Sequence, residues 1–499
     1  YRQMLEGSRL IRGVEARIDS DRVNAEAAVQ REIADLVEAF AAMDDGYIAG
    51  RVQDMRELGD RLVRKLTGHG FRAFSGMPRN TVLVARELTP ADAALLDPHT
   101  VGGFATAGGG AQSHTAIVAR ALDMPAVVAV PHLADKAPEE GLVIIDGDAG
   151  WVILHPSEET VARYRQKRAS FLRQRRNLRR QSQVPAITRD GAEVALMANL
   201  ELPAEMDRIR QAGARGIGLL RSEFLFMNRR DLPGEEEQYQ MLADMVRAMD
   251  GLPVTIRTLD VGGEKVSAAV DGLGMDGPNP ALGMRGIRLG LQQPKMLETQ
   301  FAAILRAAAH GPVRILLPMV AAVEEIREAR RLLARVVRRL RRRKEPLPDP
   351  LPPLGAMIEV PAAALAADSL ALEADFFAIG TNDLTMYALA IDRTDERVVH
   401  MYDPDHPAVL RLIQFASEAA FRARIPISVC GELAGSPRYT PFLLGLGIRE
   451  LSMAAGSLPA VKNRIRSLDQ ATASRCVRAV MGELDPEHIG RVLEGFAAE

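Results

Sequence analysis

From residue 186 onward, short apolar runs alternate with longer stretches of helical periodicity, and this alternation restricts the fold more than any other feature of the 499-residue chain. Strand-type runs fall at residues 194–199, 216–221, 254–260, 314–319, 356–360, 376–380 and 427–430, with a weaker one at 283–288. Eight strand–helix units in roughly 300 residues predict a closed (β/α)8 barrel over residues 186–499. The arginine-rich stretch 327–344 keeps helical spacing in Leu332, Leu333 and Val337, continuing from Ile326. It reads as an outer barrel helix with a wet face rather than a nucleic-acid patch. Pro346, Pro348, Pro350, Pro352 and Pro353 form the loop to the next strand.

A chain of this length is too long for one core, and the segments ahead of the barrel differ in kind. Residues 1–67 read as helices. Val29, Ile33, Val37 and Phe40 fall on one helical face, and after a break at Asp44-Asp45-Gly46 the pattern returns in Ile48, Val52, Met55, Leu62 and Leu66. Two amphipathic helices joined by a short turn make a helical hairpin, ended by Gly68 and Gly70. Residues 68–157 change to strand-type runs at 81–85 and 143–145. Between them Gly108-Gly109-Gly110 leads to His114, which opens an apolar-periodic stretch through Leu122. That is a small α/β domain with a glycine-rich loop running into a helix. Residues 158–185 carry Arg163, Arg165, Lys167, Arg168, Arg173, Arg175, Arg176, Arg179 and Arg180, and read as a solvated connecting helix closed by Pro185.

Composition excludes several classes. A net charge of −2 supplies no global attraction to nucleic acid or an anionic membrane. No apolar run reaches the ~18 residues needed to span a bilayer, and no secretory signal opens the chain. Two cysteines, Cys430 and Cys476, cannot build a disulfide framework and suit a reducing cytosol.

Two constellations carry chemistry. The first runs from Gly108 through Ala111, Gln112, Ser113 and His114 to Arg120. Glycines let backbone approach a phosphate, and a helix N-terminus offers free N–H groups that stabilise an anion, so a histidine there can act as a phosphoryl-accepting nucleophile. The same segment reads equally well as a glycine-rich turn capped by a histidine. The second constellation breaks that tie. Arg221, Arg257, Arg285, Glu359, Asn382, Asp383, Arg393 and Cys430 fall at or just beyond the C-terminal ends of the expected strands, where (β/α)8 barrels keep their active sites. Converging guanidinium groups suit a ligand bearing both phosphate and carboxylate. Two carboxylates beside them offer hard oxygens to Mg²⁺, and a thiol in the same ring can transfer a proton.

These motifs resemble Enzyme I of the bacterial phosphotransferase system. Gly109-Gly110 through Arg120 resembles its phosphohistidine signature, shared with the pyruvate phosphate dikinases and phosphoenolpyruvate synthases. Gly216-Ile217-Gly218-Leu219-Leu220-Arg221-Ser222-Glu223-Phe224 and Arg257-Thr258-Leu259-Asp260 resemble barrel motifs of that superfamily. Ala378 through Thr385 and Cys430-Gly431-Glu432 are similar to Enzyme I in particular, and the hairpin with Asp44-Asp45, Tyr47 and Arg56-Glu57-Leu58-Gly59 to its phosphocarrier-binding subdomain. The resemblance covers about residues 1–465. It implies that His114 accepts the phosphoryl group through Nε2, that Arg221, Arg257, Arg285, Arg393 and Asn382 hold phosphoenolpyruvate, and that Glu359 and Asp383 hold Mg²⁺. Cys430 is then the acid that completes pyruvate, a small histidine phosphocarrier protein takes the phosphoryl group, and the enzyme is a cytoplasmic homodimer joined through its barrel.

The sequence departs from the family pattern at Ala111, Gln112, Glu264 and Met284, none of them a catalytic group. The family also places a strand of the phosphohistidine domain ahead of the helical segment, so a truncated start is expected for a chain that begins at Tyr1. A dikinase or synthase needs a large ATP-binding domain where this chain has a helical hairpin. A non-catalytic signalling relative would have no use for the thiol acid.

Overall fold

The computed structural model describes residues 9–41, 77–86, 100–108, 124–138, 140–180, 182–227, 231–261, 279–392 and 397–498, with isolated positions between these stretches. The chain forms two compact units, Tyr1–Pro156 and Ser157–Glu499.

In the first unit, helices Arg9–Asp21 and Ala25–Ala41 pair through Leu10, Val14, Ala28, Val29, Ile33 and Leu36. Arg22 turns the chain with φ 51°, and Asn24 Oδ1 accepts the Ala27 N–H at 3.0 Å, capping the second helix. A hairpin turn therefore falls at residues 22–24, ahead of the Asp44-Asp45-Gly46 break expected from periodicity. That break and Tyr47 lie outside the described residues, whereas Leu62 and Val63 pack on the same apolar cluster. Strands β1 (Thr81–Ala85), β2 (Val101–Thr106) and β3 (Ala126–Val127) form a parallel sheet in that order. Phe104, fully buried on β2, packs with Leu88, Leu96 and Met124. β4 (Val143–Asp146) and β5 (Trp151–Leu154) form an antiparallel pair. Residues 109–118, with Gln112 and His114, lie outside the described residues.

The second unit opens with the expected charged helix, Glu158–Arg180, whose N-terminus is capped by Ser157 Oγ accepting from the Thr160 N–H at 3.2 Å. Then come β6 (Ala195–Leu200), β7 (Ile217–Arg221), β8 (Val254–Arg257), β9 (Val313–Leu317), β10 (Leu354–Ile358), β11 (Phe377–Ile379), β12 (Ile427–Val429) and β13 (Glu450–Met453). All pair in parallel, and β13 closes on β6 to complete a barrel. The (β/α)8 expectation holds, with one correction. Residues 283–288 are no strand: Arg285 is extended, and helix Gly286–Gln292 starts immediately after it. The missing strand is β13, which seals the barrel between β12 and β6.

Strand alternation sorts the interior. On β9, β10 and β11, Ile315, Leu317, Ala356, Ile358, Phe377 and Ile379 face the helix layer, while Leu316, Met357 and Ala378 join Leu219, Phe376 and Cys430 in a separate cluster within the barrel. The arginine-rich helix, Val323–Arg342, buries Ile326, Ala329, Leu332, Val336 and Leu340 against the barrel core. Its arginines pair on the outside with Glu298, Glu328 and Glu373.

Candidate active site

The polar residues collect where the strands end. Arg221 and Arg257 are the last residues of β7 and β8, Glu359 follows β10, Cys430 follows β12, and Asn382 and Asp383 stand in the first turn of helix Thr381–Leu389, after β11. Arg285 reaches the same mouth from a loop, with extended backbone at φ −148°. Its neighbour has to be glycine. Gly286 adopts φ 56°, and a Cβ there would stand 2.7 Å from the Met319 side chain and 3.2 Å from Asp260 Oδ1. His114 and Arg393 lie outside the described residues.

Asp260 organises the charge. Arg285 grips its carboxylate with two bonds, Nε to Oδ1 at 3.1 Å and Nη2 to Oδ2 at 2.8 Å, and Arg257 Nη1 lies 3.2 Å from Oδ2. Arg257 also donates to Glu223 Oε1 at 2.8 Å, and Arg285 reaches Tyr387 Oη at 3.0 Å and Asp383 Oδ2 at 3.5 Å. Tyr387 Oη–H in turn donates a hydrogen bond to the Ala281 carbonyl. The side chains of Arg257 and Asp260 are only 9% and 1% exposed, so each charge depends on its partners for the solvation it has lost. Burial pushes the Asp260 carboxyl up, but Arg285 and Arg257 outweigh it and hold the group down to about 2. Burial likewise opposes the Arg257 charge, and Glu223 and Asp260 more than restore it. At the outer rim Arg221 Nη1 donates to Glu201 Oε1 at 2.7 Å. The Nε atoms of Arg221 and Arg257 are buried without a partner among the described residues, which leaves donors for a bound anion.

Glu359 is fully buried and accepts the Met319 N–H at 2.6 Å. Burial, then the neighbouring Asp383 and Asp260 charges, push its carboxyl up to about 8 despite Arg257 and Arg285. Mg²⁺ is characteristically held by one or two carboxylates, with substrate phosphate oxygens and waters completing its shell. Glu359 and Asp383 fit that pattern, two mutually repelling hard-oxygen groups in a dry mouth. Among the described residues no group of three or more His, Cys, Asp or Glu side chains is arranged as a metal cage.

Cys430 rests on the apolar cluster inside the barrel, 2% exposed, with its N–H donating to the Ile379 carbonyl at 3.0 Å and Sγ 3.5 Å from the same oxygen. Burial, then Glu359, push its thiol up to about 12, so near neutral pH it holds its proton. Asn382 Oδ1 accepts the Glu432 N–H at 2.8 Å and so ties the loops after β11 and β12 together.

Of the residues singled out in the sequence, the structure brings Arg221, Arg257, Arg285, Glu359, Asn382, Asp383 and Cys430 to one mouth. The counter-ions Glu201, Glu223 and Asp260 and the hydroxyl of Tyr387 had been assigned no role. A signal for one of them was present: Asp260 stands three residues after Arg257, and a buried guanidinium requires a carboxylate. Gly263 and Glu264 lie outside the described residues; Met284 packs half-buried against the barrel core.

Comparison with known proteins agrees with this geometry. Residues 175–470 match the PEP-binding domain of PEP-utilising enzymes, residues 77–150 their mobile domain and residues 1–51 their N-terminal domain. The phosphoenolpyruvate-protein phosphotransferase of Cupriavidus necator is 42% identical over 508 residues, covering 100% of this chain and 86% of that protein. That of Geobacillus stearothermophilus is 39% identical over 96% of this chain and 82% of its own length, and that of Staphylococcus carnosus 38% over 94% and 81%.

Proposed function

The chain belongs to the phosphoenolpyruvate-protein phosphotransferases, kinase-type transferases, and from that premise we propose how its residues divide the reaction. The observation that carries the assignment is the buried ring of Arg257, Asp260, Arg285 and Asp383 beside a thiol that keeps its proton. Arg221, Arg257, Arg285 and Arg393, with Asn382, hold the carboxylate and phosphate of phosphoenolpyruvate. The lone pair of His114 Nε2 attacks phosphorus; an N–P bond forms as the P–O bond to the enol oxygen breaks, and the electron pair leaves with enolpyruvate. Cys430 Sγ–H then gives its proton to the enol carbon, yielding pyruvate, and the thiolate regains a proton from water. Glu359 and Asp383 would hold Mg²⁺, which supplies positive charge to the phosphoryl oxygens when bound. Phosphoryl transfer demands mostly positioning and charge neutralisation, and the arginine ring is suited to both.

The phosphohistidine then passes its phosphoryl group to a histidine of a small phosphocarrier protein, which docks on residues 1–67. A single imidazole that serves both the barrel mouth and a protein partner has to travel, so residues 68–157 swing about the connector at 158–185. By its likeness to the family, the enzyme works in the cytoplasm as a homodimer joined through the barrel. No helix among the described residues is long and apolar enough to cross a membrane. Incubation with Mg²⁺ and phosphoenolpyruvate labelled in the phosphoryl group tests the reading. Acid-labile, base-stable label is expected on His114, absent in His114→Ala and slow to appear in Glu359→Ala; label on any other residue overturns the assignment.

A further inference from the structure

Asn199 lies at the C-terminal end of β6, on the opposite side of the β13 seam from Cys430. The β6–β7 register shifts between Ala198 and Asn199, and such an irregularity re-aims a side chain at a sheet rim. The re-aimed amide makes two long-range bonds. Its Nδ2 donates to the Cys430 carbonyl at 3.0 Å, and its Oδ1 accepts from Ser452 Oγ, on β13, at 2.6 Å. The hydroxyl and the carbonyl leave the amide one orientation, because a carbonyl only accepts and the Ser452 proton has no better acceptor than Oδ1. Ser452 is completely buried, and Gly218 on β7 makes the room: a Cβ at Gly218 would stand 2.5 Å from Ser452 Oγ. Cys430 is thus pinned from two sides, its N–H by β11 through Ile379 and its carbonyl by β6 through Asn199.

We propose that Asn199, oriented by Ser452, is a positioning residue for the acid step: it fixes the backbone of Cys430 so that the thiol meets the enol carbon. This rests on the reading of Cys430 as the acid. Among the described residues Asn199 bonds to Cys430 and Ser452 and to none of the site arginines, so its loss acts on proton delivery and leaves substrate capture intact.

The test compares Asn199→Asp, nearly isosteric but without the donor, with Cys430→Ala, the double variant and Ser452→Ala, in the full-length protein with Mg²⁺. Pyruvate release is measured alongside the KM for phosphoenolpyruvate, the thermal midpoint and the rate at which iodoacetamide labels Cys430. Asn199→Asp is expected to lower kcat about 10–100-fold with KM within about threefold, a part of the ~10²–10⁴-fold that a positioned proton donor contributes, and Ser452→Ala to do the same more weakly. The thiol of Asn199→Asp is expected to alkylate faster, and Asn199→Asp in the Cys430→Ala background to cost nothing further, since groups acting through one another are not additive. Independent, multiplying losses, a lowered midpoint with no kcat change, or a raised KM alone would overturn the inference. Cys430→Ala with unchanged kcat would instead sink the acid reading on which it rests.

Discussion

The two units use the same amino-acid alphabet to opposite ends. In the barrel one continuous core runs under all eight strands and the outer helices, and Glu223, Arg257, Asp260, Arg285 and Asp383 pack against one another at its mouth. In the Tyr1–Pro156 unit the described apolar residues fall into three small separate clusters, and the Arg17–Glu32 pair beside one of them keeps its guanidinium 27% exposed. Buried surface grows with domain size, so only the larger unit can meet the desolvation cost of packed charge. The barrel is built to hold an electrostatic field still. For the smaller unit the expectation is a lower local stability, the end of the range from which moving parts are drawn.

The contrast breaks first on His114. If the barrel is a complete binding site without the carrier histidine, His114→Ala abolishes phosphorylation yet leaves phosphoenolpyruvate affinity, measured by calorimetry, at the parent value. A large loss of affinity would show that the two units share the binding site.

Next in size is Arg257→Ala. It leaves Glu223 and part of Asp260 buried without a counter-charge, so about 3–5 kcal/mol of barrel stability should go with it. Catalysis should fall by about 10²–10³-fold, the usual cost of removing one preorganised donor from a developing anion. Calorimetry and kcat/KM measured together test both; a loss in activity with no loss in stability would mean that the ring is a substrate clamp only.

The same contrast explains how much could be read from the sequence. Most strands were legible because a parallel strand buried on both faces reads as a short apolar run, as in Phe377–Ile379. β13 was not, since Glu450-Leu451-Ser452-Met453 spends alternate positions on a glutamate paired with Arg314 and a serine inside the barrel. The site residues at strand ends followed from topology once the barrel was recognised. Most of their counter-ions did not: Glu201 meets Arg221 and Glu223 meets Arg257 from the end of the neighbouring strand, and Tyr387 meets Arg285 from helix Thr381–Leu389, pairings that no local pattern encodes. Asn199 was hidden by a register shift, which periodicity cannot register.

Core truncations sharpen the comparison without touching chemistry. Phe104→Ala in the small sheet and Phe301→Ala in the barrel helix Pro294–Ala307 each remove a fully buried ring. Each should cost about 3–5 kcal/mol. If the units unfold separately, differential scanning calorimetry should show Phe104→Ala lowering the first transition only and Phe301→Ala the second only. A single transition moved equally by both would show one cooperative body.

The smallest expected effect carries the argument about charge. Arg17 and Arg257 make bonds of similar length, 2.7 Å to Glu32 and 2.8 Å to Glu223, so geometry alone would rank them together. Their surroundings separate them. At 1 M salt the screening length falls to ~3 Å, which quenches a pair that water can reach and spares one that ions cannot approach. Arg17→Ala should therefore shift the first unit's midpoint little at low salt and coincide with the parent at high salt. The gap between Arg257→Ala and its parent should persist across the same titration. If salt instead closes that gap, the barrel mouth is wetter than its packing implies, and its arginines hold substrate by surface attraction rather than by a fixed internal field.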